Sequence, residues 1–396
     1  MPYCAKVFLV EFRIYLFLRC EMKIERVHSK SEQALFLAIA RKLYADDPEW
    51  VCPLDKDIND IFSTEHNIAF KHGNAQRWIL FDDKGEAIGR IAAFYSNLHQ
   101  KNMSPKTGGI GFFECINNKE AAYLLFDTAV NWLKNEACEQ IEAPINFGEK
   151  DKFWGLMVKG FKNPSYQENY NFAYYESLYI SYGFKLQTEQ TTSEIRYENF
   201  NRERFEKLAS RVFQNNQYEY AHFKMNQLEK FATDFIHIYN LAWANRPDFV
   251  PMTKERIETT LRSLKPIMME EAIWFVYANN EPAGFYVNVI DINQIFKHLN
   301  GKLDWWGMLK FLWYKNFGNI NRLRGIVFGV IPAYQNLGLE TGLIMKFYQA
   351  ILKKPQYKSA ELAWIGDFNP KMHSLFKALG AETTKVHHTY RLPIKK

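Results

Sequence analysis

The sequence predicts an α/β chain of the α+β kind, built as two tandem copies of one plan, each a mixed, mostly antiparallel central sheet flanked by helices. Three observations carry this. The 396 residues exceed the usual size of a single core. Residues 45–54, ADDPEWVCPL, resemble residues 244–252, ANRPDFVPM, each joining Pro, an acid, an aromatic, Val and a nearby Pro after an amphipathic helical run. Residues 77–96, RWILFDDKGEAIGRIAAFYS, parallel residues 272–291, AIWFVYANNEPAGFYVNVID, both reading strand, polar turn, strand, with Gly89 and Gly284 early in the second strand.

The first 21 residues are apolar, but Glu11 and Arg13 interrupt them and no small-residue cleavage site follows. They are expected to be an upstream extension, poorly ordered or peripheral, with Met22 as the natural start. The first copy is expected over residues 22–200. After its strand pair comes GIGFFECI (109–116), a short apolar run suited to a central strand, and then a helix. That helix carries Ala121, Leu124, Leu125, Ala129, Trp132 and Leu133 at helical spacing, with Asn117 and Glu120 forming a capping box. A strand (QIEAPI), a helix (AYYESLYISYGF) and a closing strand (LQTEQTTSEIRYE) complete the copy. Residues 201–224 read as a linker helix and strand, and residues 225–396 as the second copy. Its central strand is RGIVFGVI, and its helix buries Leu343, Ile344, Phe347, Tyr348, Ile351 and Leu352 before Lys353, Lys354 and Pro355 end it. AELAWI, NPKMHSLFKALG and KVHHTYRL repeat the final strand, helix and strand.

Hydrophobic residues at 47% and charged residues at 24% fit an ordinary folded soluble protein. The 16% aromatic content permits an apolar substrate, and the formal charge of +6 favours anionic partners: a nucleotide cofactor, nucleic acid or an acidic membrane surface. Five scattered cysteines form no CxxC pair, which suggests neither a disulfide framework nor a zinc knuckle and fits the cytoplasm. No HExxH spacing occurs, and His387 and His388 point to opposite faces of a strand, so no metal is expected.

The run VIPAYQNLGLETGLI (330–344), followed by ELAWIGDFNPKMHSLFKALGAE (361–382), resembles the GNAT (Gcn5-related N-acetyltransferase) superfamily, and the whole chain from about Met22 resembles a tandem of two such domains. The family signature, Arg or Gln, two residues, Gly, one residue, then Gly or Ala, would fall on Gln335, Asn336, Leu337, Gly338, Leu339 and Glu340. Asn369 matches an Asn that begins the next helix, and Leu379 and Gly380 match its end. The resemblance implies that this turn, a cluster of free N–H groups at a helix N-terminus, holds the pyrophosphate of acyl-CoA. Phe328 and Val330 would offer edge backbone groups to the pantetheine arm. Glu340 departs from the signature: its carboxylate must point away from such a ligand, or the loop must bind something else. The first copy has only INNKE at the matching place, so no comparable cradle is expected there.

The family often uses a Glu on the central strand and a Tyr on the last helix. The second copy has Phe376 at that Tyr position and no carboxylate on its central strand, which directs attention to Glu114 and Tyr175 in the first copy as catalytic residues. Strand alternation would place Glu114 among Ile110, Phe112 and Ile116, in apolar company that raises its pKa; the alternatives are pairing with a buried Arg such as Arg90 or a place at a strand edge facing water. Asn146, Trp154, Asn171 and Tyr174 are candidates for binding the acceptor, and Asp367, His373 and Tyr390 are weaker catalytic alternatives. The resemblance implies an acyl-CoA-dependent N-acyltransferase that moves an acetyl or long-chain acyl group to a small-molecule or lipid-like amine. Peripheral membrane contact fits, and nucleic acid is not expected. The alternatives are a non-catalytic binding or regulatory protein of this fold and a Fem-type transferase using aminoacyl-tRNA.

Overall fold

A computed structural model of the chain describes residues 22–97, 105–148, 152–244 and 251–394. The proposed upstream extension, and residues 245–250 of the second repeat motif, lie outside the described residues.

The elements follow in order. β1 (Lys23–Arg26), α1 (Lys30–Leu43), α2 (Asp55–Ile61), β2 (Gly73–Phe81), β3 (Ala87–Ser96), β4 (Thr107–Cys115), α3 (Lys119–Asn135), β5 (Gln140–Ala143), β6 (Leu156–Lys159), α4 (Tyr175–Tyr182) and β7 (Lys185–Arg196) form the first half. α5 (Arg202–Phe213), β8 (Tyr218–His222), α6 (Leu228–Ala242), α7 (Lys254–Leu264), β9 (Ile273–Ala278), β10 (Glu281–Ile290), α8 (Asn293–Phe296), α9 (Trp305–Phe317), β11 (Arg322–Val330), α10 (Leu339–Ile351), β12 (Ser359–Glu361), β13 (Ile365–Gly366), α11 (Pro370–Leu379) and β14 (Glu382–Pro393) follow.

One sheet spans both halves, in the order β1-β2-β3-β4-β5-β14-β7-β12-β11-β10-β9-β8, with β6 and β13 branching onto β14 and β7. Each half runs antiparallel until its central strand, which pairs in parallel with the next: β4 with β5 and β11 with β12. The closing strands are exchanged across the join. β14, from the end of the chain, sits between β5 and β7, while β7 from the first half sits between β14 and β12.

Helices cover both faces. In the first half α3 and α4 pack on one face around Leu125, Phe126, Tyr175 and Tyr179, and α1 packs on the other through Phe36 and Ile39. In the second half α10, α11 and α5 share a core built on Leu339, Leu343, Phe347, Phe376 and Phe205, and α6 covers the opposite face through Phe231 and Ile238. The helical stripe expected over residues 343–352 is therefore buried, apart from Leu352, which stands at the exposed C-cap. One local expectation shifts. The N-cap of α3 is Asn118 and not Asn117, because Asn118 holds the extended backbone of a cap and its side chain accepts from Ala121 N–H at 2.9 Å.

Both central strands carry a bulge. On β4 the register slips between Arg90↔Glu114 and Ala92↔Gly111, with Phe112 at φ +53°, and on β11 it slips between Val287↔Val327 and Asn288↔Gly325. A bulge adds one residue and turns the side chains beyond it to the other face. Glu114 and Phe112 thus face α1, whereas Ile110 packs in the core under α3, so the expected face shared by Ile110 and Glu114 does not form.

Candidate functional site

The second half opens a wedge between its two parallel strands. β11 and β12 pair only over Arg322–Arg324 and Ser359–Glu361, after which the chain leaves β11 and turns onto β7 through β13. From Ile326 onward the side of β11 away from β10 has no ladder partner among the described residues, and Ile326 itself is exposed. The strand leads into a single 3-10 turn, Pro332–Tyr334, and then to α10. Asn336 (φ +65°) and Gly338 (φ +86°) both adopt the left-handed region, which costs Gly little and turns successive N–H groups toward one side. The backbone N–H groups of Asn336, Leu337, Gly338, Leu339 and Glu340 take no acceptor among the described residues, whereas those of Thr341 and Gly342 are closed onto the Gly338 carbonyl. Unbonded N–H groups of this kind, at the positive end of a helix dipole, can receive an anion.

The side chains around the cradle divide their tasks. The Gln335 amide donates to the Val330 carbonyl at 3.0 Å and so braces the loop against the strand. Phe328 is half-buried and meets Tyr286 edge to face at 5.1 Å, and Val330 lies in the core. Leu337 is exposed and Leu339 buried. The Glu340 carboxylate lies near Tyr220 of β8, whose phenol is held well above its ordinary pKa by burial and then by that charge. Asn369 caps α11, accepting from Met372 N–H at 3.3 Å. Of the titratable groups on α11, Lys371 and Lys377 are exposed; His373 is half-buried, with Nε2 3.2 Å from the Gly366 carbonyl of β13, on the face it shares with Phe376 one turn on.

The matching wedge in the first half is filled by its own chain. The Ile145 N–H donates to the Ile110 carbonyl at 2.9 Å, and a Cβ on Gly111 would come within 2.2 Å of the Ile145 carbonyl oxygen. Phe147, Ile145 and Phe94 pack into the space. No second arm could lie along β4 without expelling them.

Glu114 sits in a closed knot. It accepts from Tyr44 at 2.8 Å and Tyr175 at 2.9 Å, and Arg90 lies 3.3 Å away while also donating to the Phe36 carbonyl. Burial raises its pKa more than Arg90 and the two phenols lower it, and both phenols are pushed well above their ordinary range by burial and by the carboxylate. Tyr175 also accepts from the Cys115 N–H, and Tyr174 donates to the Cys115 carbonyl at 2.6 Å. Asn171 uses its acceptor on Met157 N–H and its amide on the Met157 and Phe172 carbonyls. Asn146 is buried between Ile145 and Phe147 in the chain. Trp154 reaches the other half, packing 4.9 Å from Trp364 and 4.8 Å from His387. Two small cavities, of about 60 and about 10 Å³, lie elsewhere, one lined by Lys162, Glu194 and Arg196, the other by Val51, Asp57 and Tyr166.

Strand order sets the distance between the two places. β4 and β11 are five strand steps apart, roughly 24 Å at ~4.8 Å per step. The strand pairings also show which residues correspond: Gly89 opposes Cys115 as Gly284 opposes Val330, so Gly329 occupies the place of Glu114. A side chain at 329 would meet the Trp243 ring at 2.6 Å, which explains why the second half has no carboxylate there.

Sequence reasoning missed a buried ionic cluster at the join. Lys385 on β14 binds Glu168 and, at 3.0 Å, Glu361 on β12; Glu361 also meets Arg324 and Arg322, and Arg322 meets Asp291 at 2.6 Å. Its legible signal is the presence of charged residues inside otherwise apolar central strands. Among the described residues no group of three His, Cys, Asp or Glu side chains is placed to hold a metal, and no helix is long and apolar enough to cross a membrane.

Among solved structures, a tandem GNAT protein from the clavulanic acid biosynthesis pathway superposes with a TM-score of 0.58 over 95% of this chain and 99% of its own, at 10% identity. The chain has the tandem GNAT fold. No family model matches it. It is 26% identical over 383 residues to Protein YghO of Escherichia coli (strain K12), covering 92% of this chain and 94% of that one. It is 23% identical over 389 residues to a protein named bacterial ceramide synthase from Caulobacter vibrioides (strain NA1000 / CB15N), covering 93% and 97%. The β11–β12 wedge of the second half is open, and its first-half counterpart is closed.

Proposed function

We propose that the chain transfers an acyl group from coenzyme A to an amine, with the donor lying in the second-half wedge. One observation carries this reading: an unpaired strand edge runs from Ile326 directly to five unbonded N–H groups at the start of α10. The N–H groups would hold the pyrophosphate, and the β11 edge would bond the amides of the pantetheine arm. The amine nitrogen then attacks the thioester carbonyl, the C–N bond forms, and the C–S bond breaks as the thiolate leaves and is protonated. His373 on α11, one turn before Phe376, is the side chain we assign to accept the amine proton, since Gly329 and Phe376 supply no base or acid. Glu114 and Tyr175 are assigned to support of the first-half wall, because they are sealed in and roughly 24 Å away at ~4.8 Å per strand.

A long-chain acyl group and a lipid-like amine are the substrates we favour. The similarity to a protein named bacterial ceramide synthase supports this, as does the apolar rim of the wedge, where Ile326 and Phe368 are exposed. A thiol-release screen crossing acyl-CoA lengths with candidate amines tests it. Turnover restricted to long-chain donors and long-chain amines is expected, falling roughly a hundredfold in His373→Gln. Efficient use of acetyl-CoA with no activity toward long-chain donors would remove the lipid reading. Coenzyme A binding with no turnover of any pair would leave a binding protein of this fold.

A further inference from the structure

The connection between β10 and β11 contains a segment that neither the fold nor the wedge uses. α9, WWGMLKFLWYKNF, packs on the body through Phe311, Gly307 and Tyr314, over Leu54, Phe296 and Leu299. The rest of the helix is turned outward: Trp305 is 72% exposed, Trp306 71%, Trp313 63% and Phe317 74%, with Met308 and Leu312 exposed between them. Exposed apolar residues occurring singly are ordinary, but a contiguous patch of this kind marks a contact surface. At ~100° per residue the exposed apolar side chains fill one continuous arc opposite Phe311, and Lys310 and Lys315 fall at its two margins.

The occupant follows from charge and shape. Exposed Lys297, Lys302, Lys310 and Lys315 surround the patch, while the acid of this segment, Asp304, is the N-cap and accepts from Gly307 N–H at 2.9 Å. A convex, aromatic-rich helix edged by lysines matches the boundary of an anionic bilayer, where indole rings sit at the headgroup level and ammonium groups reach the phosphates. The 13 residues of α9 span roughly 20 Å at ~1.5 Å each, short of the ~30 Å hydrocarbon layer, so the helix lies along the surface.

We propose that α9 is an interfacial anchor that docks the protein on anionic lipid. The inference rests on the exposure and charge of this helix and is independent of the acyl-transfer reading. The test is co-sedimentation of the full chain with vesicles of phosphatidylcholine mixed with phosphatidylglycerol, against vesicles of phosphatidylcholine alone, without any substrate. Binding to the anionic vesicles is expected, with a blue shift of tryptophan emission. Lys310→Glu/Lys315→Glu should weaken it roughly tenfold or more, and Trp306→Ser/Trp313→Ser should abolish it, both variants keeping the wild-type circular dichroism and melting temperature because the side chains are exposed. The proposal is overturned if the wild type stays in solution with both vesicle types, or if the tryptophan variant sediments as well as the wild type. A dimer by light scattering that Trp306→Ser/Trp313→Ser converts to monomer, with no vesicle binding, would make a second copy the occupant and overturn it too.

Discussion

Glu114 shows how one residue can fit a catalytic pattern and be held by a structural one. Its raised pKa and its pairing with Arg90 were both readable from residues 88–116, and the structure contains both, although Ile110 lies on the other face. What could not be read was the bulge at Phe112, a backbone choice with no fixed residue signature, which turns the carboxylate toward Tyr44 on the far side of the sheet. Glu114→Gln leaves Arg90 buried without its counter-charge, so we expect a loss of about 3 kcal/mol in stability, measured by urea unfolding. Turnover per folded molecule should stay unchanged. A fall in kcat of roughly a hundredfold or more with native stability would instead make Glu114 the base.

Among the elements, α7, β6 and α9 were not read, whereas α3, α10 and the strand pairs β2–β3 and β9–β10 were legible from their apolar periodicity. Their ends were less so: Asn117 and Asn118 offer the same side chain, and only the extended backbone at 118 decides between them. Asn118→Ala should cost about 1 kcal/mol and Asn117→Ala nothing measurable, as thermal denaturation will show; equal effects would return the cap to Asn117. The left-handed turn was visible from Gln335 and Gly338, and the Glu340 carboxylate lies near Tyr220 with one oxygen buried and unbonded among the described residues. α9 escaped the reading because it is apolar on nearly every side and gives no helical stripe to detect.

For the whole molecule, the repeat was legible but the exchange of β7 and β14 was not, since strand partners across 200 residues leave no local trace. The exchange brings Glu168, Glu361 and Lys385 together at the join. Burial pushes both carboxyls up, and Lys385, with Arg324 and Arg322 beside Glu361, overcomes it and holds both below the ordinary carboxylate range. Carboxyls with lowered folded pKa values contribute stability above their unfolded pKa, and that stability is lost as pH falls through the folded values. Stability should therefore decline as pH drops below ~4.5, both halves melting in one transition, and Glu361→Gln should make the decline shallower. Two separate transitions by calorimetry would contradict the shared sheet. The central claim, that the second half alone holds the acyl donor, is tested most directly by isothermal titration of coenzyme A into the wild type and Gly338→Val. Valine is strained at φ +86° and blocks the turn. The prediction is one molecule bound per chain and at least roughly tenfold weaker binding by the variant; no binding, two molecules bound, or equal affinity in a folded variant would contradict it.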